Sequence, residues 1–294
     1  MKFLITGATG QLGQEWVHFL TEKSLPFEAF SSGELDITDR TKVAEILSEI
    51  KPDVVINCAA YTDVDGSESE SKKAFLVNER GVQNLANGCE SVGAKLVHYS
   101  TDYVFSGSKE DQKKYPGGYP EEAETDPVNV YGKSKEAGEK ILQQSNGEWM
   151  LVRVSWLCGR FGNNFIKTML RLGSERDRLQ VVEDQTGCPS LAFDVVEKTF
   201  QLLKKDLTGI FHISCEGKIS WADLAEEIFE QSDLNVNVNR ITSDQYPFTA
   251  TRPMFTLLST KKVEATGLNP LWWASGVDKL LDQIEELNEQ KKAL

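Results

Sequence analysis

What the chain lacks narrows it first. Its five cysteines, Cys58, Cys89, Cys158, Cys188 and Cys215, are widely spaced and make no C-x-x-C, so neither a disulfide framework nor a zinc site is indicated. A reducing compartment fits best. The three histidines, His18, His98 and His212, are scattered without metal-ligand spacing, and no metal site is expected. No apolar run approaches the ~18 residues of a membrane span, and strand-like residues begin the chain where a cleavable leader would stand, which points to a cytoplasmic protein. Basic residues are in deficit, 32 against 45 acidic ones, giving a net charge of −13. That balance argues against nucleic acid or an anionic membrane as a partner. An anionic ligand must then be held by local donors against an unfavourable overall field.

What is present is an ordinary globular composition: 294 residues, 40% of them hydrophobic, enough for one or two domains at roughly 100–200 residues each. Short apolar runs alternate with helical patterns through the first half. Strands are expected at 3–6, 27–30, 54–60, 95–100 and 150–155, with helices over 11–22, 40–50, 69–92 and 133–144. That rhythm makes βαβ units, an α/β fold and a doubly wound parallel sheet. The second half is less regular, with helices expected over 163–172, 191–203, 221–231 after a Ser220 cap and 274–287, and a strand at 210–214. Residues 106–125 are charged, hold Pro116-Gly117-Gly118, and read as a mobile surface insertion or part of a lid.

Two strings carry chemistry. Gly7, Gly10 and Gly13 follow the first strand and open a helix, so backbone N–H groups and the helix N-terminus can face a pyrophosphate. A tight β-to-α turn with no ligand would use the same glycines. Tyr131 and Lys135 stand at i and i+4 on one helix face. A phenol with a pKa of about 10 is a poor acid near neutrality, and a neighbouring ammonium stabilises its anion. A solvated helix face would look the same in isolation. Upstream, Thr101 ends a strand where a parallel sheet binds its ligands, placed to hydrogen-bond a carbonyl or simply to terminate the strand.

Taken with Asn57-Cys58-Ala59-Ala60, these residues resemble the extended short-chain dehydrogenase/reductase superfamily. Within it, the strings from Ala59 to Asp65, Ser100 to Gly107, Pro127 to Lys135, Arg153 to Trp156, Gly162 to Phe165 and Asp184 to Pro189 resemble the dTDP-4-dehydrorhamnose reductase family over nearly the whole length. The resemblance implies a Rossmann-like domain over 1–155, to which strands around 190–215 return, and a smaller, discontinuous substrate domain over 156–294. It implies reduction of the C4 keto group of a dTDP-4-keto-6-deoxyhexose by NADPH or NADH. Tyr131 would donate the proton, Lys135 would lower the phenol's pKa and hold the nicotinamide ribose, and Thr101 would polarise the carbonyl. The cofactor would lie against Gly7, Gly10, Gln11, Leu12, Gly13, Ser31, Asp36, Ile37, Ala59, Ala60, Tyr61, Thr62, Tyr131 and Lys135. The sugar nucleotide would meet Val64, Thr101, Asp102, Tyr103, Trp156 and Arg252, although Trp156 also suits a core and Arg252 a surface. Asn163 and Asn164 are expected to order a loop. A homodimer is a further implication, with Mg²⁺ at the interface in some relatives. Glu15 matches one such acidic position but reads better as an exposed helical glutamate.

The pattern departs in places. Where an NAD site carries an acid at the end of the second strand, this chain has Ser31-Ser32, with Asp36 as a partial substitute. The choice therefore leans to NADPH. Thr251 replaces a second arginine before Arg252, and 106–125 is longer than usual. Among alternatives, a 4,6-dehydratase needs a Thr-Asp-Glu triplet, and Tyr103 stands in the glutamate's place. A reductase or epimerase of another sugar nucleotide remains open, as does a non-catalytic NADP-binding regulatory subunit, against which the intact Thr101, Tyr131 and Lys135 argue.

Overall fold

Strands buried on both faces need helices on both sides, and the first half supplies them in alternation. In the computed structural model, which describes residues 1–292, the strands β1 (Phe3–Thr6), β2 (Phe27–Phe30), β3 (Val54–Asn57), β4 (Lys95–Thr101) and β5 (Trp149–Val154) follow one another through this half. Residues 293 and 294, where the expected second domain ends, lie outside the described residues. Helices α1 (Gln11–Glu22), α2 (Arg40–Ile50), α3 (Val64–Ser69), α4 (Ser71–Phe75), α5 (Val82–Val92), α6 (Lys109–Lys114) and α7 (Val130–Gln143) connect them. The remainder holds α8 (Phe165–Glu175), β6 (Arg178–Val182), β7 (Thr186–Gly187), α9 (Ala192–Lys204), β8 (Gly209–His212), β9 (Ile219–Ser220), α10 (Trp221–Gln231), β10 (Asn237–Ile241), α11 (Lys261–Glu264) and α12 (Trp273–Lys292).

The main sheet has six parallel strands in the order β2-β1-β3-β4-β5-β8. The chain winds one way from β1 to β2 and the other way from β1 through β3, so the winding reverses between β1 and β3. Ligands of open α/β sheets bind in the crevice outside the strand ends at such a reversal. One apolar cluster, with Trp16, Leu20 and Val195, lies between the sheet and α1/α9. A second, with Leu47, Val82 and Leu85, lies between the sheet and α2/α5. A third joins Phe105, Tyr119, Ile166, Ile228, Phe255 and Val277 beyond the sheet.

Two expectations need correction. Residues 69–92 are not one helix: the chain breaks at Glu70 and passes through a π-turn over Leu76–Gly81. The turn presents Asn78, whose amide clasps the Tyr61 backbone on both sides (2.9 and 3.0 Å) and donates to Ser134 Oγ at 2.9 Å. Such tertiary bonds override local propensity. Residues 106–125 are not a mobile insertion either. Tyr119 is buried, stacks on Phe105 at 4.1 Å, and its hydroxyl donates to Asp111 and accepts from the Gly107 N–H. Glu121 is also buried and accepts the His212 backbone N–H.

The pairs β6·β10 and β7·β9 had no clear signal, being short and mixed in polarity. The Ser220 cap is present as a full capping box with Asp223.

Candidate active site

The glycine turn shapes the floor of the crevice. Gly7 has φ +65°, and a Cβ there would stand 2.6 Å from the Ala59 nitrogen, while one on Gly13 would meet the Gly7 carbonyl at 2.2 Å. Side chains at these two positions would push the turn off β3 and α1 off the turn. Gly10 caps α1 without any side-chain bond, leaving the helix's first N–H groups for an anion. A cradle that any Cβ would fill, at a free helix N-terminus, fits a dinucleotide pyrophosphate.

Above this floor, Gly10, Gln11, Leu12, Ala59, Ala60, Thr62, Val64, Thr101, Asp102, Tyr103, Tyr131, Lys135 and Trp156 line one cleft of about 610 Å³. The structure therefore brings most of the expected residues together. Tyr61 turns its hydroxyl to Glu70 (2.9 Å). Ser31, Asp36 and Ile37 lie past the end of β2, outside that cleft's lining. There the Ser31 hydroxyl and N–H both donate to Glu34 (2.6 and 2.9 Å), and Asp36 accepts the Thr38 N–H. Ile37 is a core residue, packed where a Cβ on Gly81 would sit. Arg252 lines an adjoining pocket of about 330 Å³, which shares Tyr103 and Trp221 with the cleft.

Tyr131 stands in the first turn of α7, whose Asn129 cap accepts the Gly132 N–H at 2.8 Å and donates to the Thr251 carbonyl at 2.8 Å. Burial pushes the phenol up to about 12, opposed by its bond to Thr101 and reinforced by the Asp102 charge. Thr101 donates to Asp102 Oδ1 at 3.0 Å and accepts the Tyr103 N–H at 3.2 Å. The Asp102 carboxyl is buried and raised to about 6 by desolvation, against hydroxyl bonds that include Ser155 at 2.8 Å. Lys135 is buried as well, which lowers its ammonium to about 8, and its Nζ donates to the Tyr99 carbonyl at 2.6 Å. In this state the groups that shift Tyr131 are the burial, Thr101 and Asp102, rather than Lys135.

Trp156 takes part in both a core and the cleft. It has φ +48°, a strained value for a bulky residue, and stacks on Trp221 at 3.8 Å and 15°. Sequence reasoning missed Trp221, because a residue one place past a helix cap carries no mark of where it faces. Asp65 was missed as a contact too: it accepts the Thr249 and Ala250 N–H groups and pairs with Arg252 at 2.7 Å. Asn164 caps α8 and donates to Gln11 Oε1 at 2.6 Å, so it orders its loop against the glycine turn. Glu15 is corrected: it is buried, not exposed, because Arg160 grips it with two guanidinium nitrogens. Among the described residues no group of His, Cys, Asp and Glu is arranged to hold a metal, and no helix is long and apolar enough to cross a membrane.

A tyrosine acid, a buried ammonium four residues on, and a threonine beside a phosphate cradle can together protonate a carbonyl oxygen as a hydride arrives. Comparisons with known proteins bear on that chemistry. The family model described as "RmlD substrate binding domain" matches residues 1–286. The dTDP-4-dehydrorhamnose reductase of Aggregatibacter actinomycetemcomitans is 40% identical over 286 residues, covering 92% of this chain and 95% of its own. A dTDP-4-keto-6-deoxy-D-glucose reductase of Streptomyces niveus is 36% identical over 272 residues, covering 92% of each. Among solved structures, dTDP-4-dehydrorhamnose reductase from Bacillus anthracis in complex with NADP superposes with a TM-score of 0.91 at 37% identity, covering 96% of this chain and 99% of that one.

Proposed function

Since the chain belongs to the RmlD substrate binding domain family, we propose that it is an NADPH-dependent dTDP-4-dehydrorhamnose reductase, an oxidoreductase of the cytoplasm that makes dTDP-L-rhamnose. One observation carries the reading: Tyr131, Thr101 and Lys135 line the same cleft as the glycine turn, at the reversal of the sheet. NADPH, when bound, supplies the hydride that C4 of the sugar receives. The chain's own residues do the rest. Gly7, Gly10, Gln11, Leu12 and Gly13 seat the pyrophosphate, with Ala59, Ala60, Tyr61 and Thr62 as the facing wall. Ser31, Asp36 and the Ile37 backbone face the adenosine end. Residues 1–155 with β8 form the dinucleotide half, and 156–294 mainly the substrate half.

Tyr131, protonated across the physiological range, gives its proton to the C4 oxygen as negative charge develops there. The phenolate left behind needs a cation, and Lys135 is the nearest ammonium on the same helix face. Lys135 would also hold the ribose hydroxyls of the cofactor. Thr101 holds the tyrosine hydroxyl in place, while Val64, Asp102, Tyr103 and Trp156 shape the sugar's surroundings. Arg252 meets the diphosphate by charge-assisted bonds.

Simple reduction suits the site better than dehydration, because the position that would hold a second acid holds Tyr103, edge-on to Tyr131 at 5.8 Å. The Streptomyces relative supports a second reading, a reductase for dTDP-4-keto-6-deoxy-D-glucose, the C3 and C5 epimer of that keto sugar. Absorbance at 340 nm, followed with dTDP-4-dehydrorhamnose made in situ, tests the activity, and product chromatography tests the sugar. The expected product is dTDP-L-rhamnose. Tight NADPH binding with no turnover would sink the enzyme reading.

A further inference from the structure

His98 lies on β4, buried beneath the cleft, and the mechanism above gives it no task. Its surroundings decide its tautomer. The Ala59 backbone N–H, which can only donate, reaches Asn57 Oδ1 at 3.1 Å, and Thr6 Oγ1 reaches the same oxygen at 2.7 Å. That fixes the Asn57 amide, so its Nδ2 faces His98 Nδ1 at 2.9 Å as a donor. Nδ1 must accept. Burial and the nearby Lys135 keep the ring neutral, holding its pKa well below the usual histidine value. A neutral imidazole that accepts at Nδ1 carries its proton on Nε2. Nε2 points at Lys135 Nζ, 3.4 Å away.

An ammonium has three donors and no acceptor. The His98 N–H therefore opposes charged Lys135 and is accepted only by the lone pair of the neutral amine. We propose that His98 is a positioning residue for the reduction: held in one tautomer by Asn57, it aims an N–H at Lys135 Nζ and sets how readily that amine gives up its proton. The line Thr6–Asn57–His98–Lys135 thus joins the end of β1 to the helix that carries Tyr131. The other ionisable groups facing Lys135 are Cys58 from the end of β3 and, on its own helix, Glu139, both of which favour the charged form. Tyr131 stands one turn before it. In turnover the charged form of Lys135 is the one that offsets the tyrosinate, so the fraction of Lys135 that keeps its proton sets the basic limit of the reaction.

The inference rests on the reductase reading for its role in turnover, but its first two tests do not. In ¹⁵N-histidine spectra of the wild-type protein, His98 should show a protonated Nε2 and an unprotonated Nδ1; the opposite tautomer would overturn the proposal. The H98Q variant offers Lys135 an amide oxygen in place of the N–H. The Lys135 titration, followed at its ¹³Cε, should then move up by about one pH unit; an unmoved midpoint would also overturn the proposal. With turnover established, the basic limb of the kcat–pH profile should shift in H98Q by the same amount, and a limb that stays put would refute the catalytic part alone. Absence of turnover in the wild type would defeat the reductase reading while leaving the tautomer and the titration readable.

Discussion

One face of α7 runs through two buried polar clusters that treat charge in opposite ways. Towards the helix start, Tyr131 and Lys135 enter the cleft, where the ammonium meets a carbonyl and an imidazole but no carboxylate contact. One turn further, Glu139 grips Arg153 of β5 with both oxygens (3.0 and 2.7 Å), and Arg153 also donates to the Glu121 carbonyl at 3.2 Å. The charged groups of both, Lys135 and Asp102 in the first and Glu139 and Arg153 in the second, are almost wholly removed from water, while Tyr131 is part-exposed. In the second, each ion is matched, so the desolvation cost is offset and the result is a pin between α7, β5 and the segment of residues 106–125. In the first it is left unmatched, and Lys135 and Asp102 drift towards neutrality. Burial alone does not separate scaffold from site. Whether the buried charge has its partner does.

The largest test of this contrast is Tyr131→Phe. It removes an acid without touching any ion pair, so kcat should fall by about 10³-fold while the melting temperature stays within a degree or two; a variant that kept most of the rate would refute the proton donor. Next comes Glu139→Gln, which leaves Arg153 buried without its counter-charge. Denaturant unfolding should show a loss of about 3–5 kcal/mol, with the folded fraction still turning over substrate. If stability held and activity vanished, the two clusters would be one. The smallest effect belongs to an exposed pair outside both, Ser31 and Glu34. Glu34→Gln takes away the negative charge that occupies the Ser31 donors and should raise the NADPH over NADH ratio of kcat/KM by roughly threefold, surface charges being weak. A ratio that moved towards NADH would reverse the assigned role of that strand end.

The sequence disclosed the clusters unequally. Tyr131, Lys135 and Thr101 were legible because their spacing has a use in chemistry, and the strands of the main sheet because burial on both faces leaves continuous apolar runs. Glu139 and Arg153 gave no such sign, since an ion pair between a helix and a strand depends on register that only the folded sheet supplies. The π-turn around Asn78 was hidden for a similar reason: a helical pattern continues through it, and the bonds that break the helix come from Tyr61 and Ser134. Residues 106–125 misled through composition. Lys109, Glu110, Lys113 and Lys114 face solvent on α6, while Asp111, Tyr119 and Glu121 inside the same stretch anchor it.

The Asp65–Arg252 pair alters how an anion would be received. Arg252 is already satisfied on one side by a carboxylate from α3, and among the described residues its Nη1 is buried without a partner. On the proposed reading, a diphosphate arriving there would not fill an empty socket; it would trade places with an internal anion or share the guanidinium with it. Because a displaced Asp65 stays tethered to α3, an anion bound there would stand beside a second negative charge, a repulsion that salt screens. On that reading Asp65 is the chain's own stand-in for the ligand, and its repulsion would favour letting go.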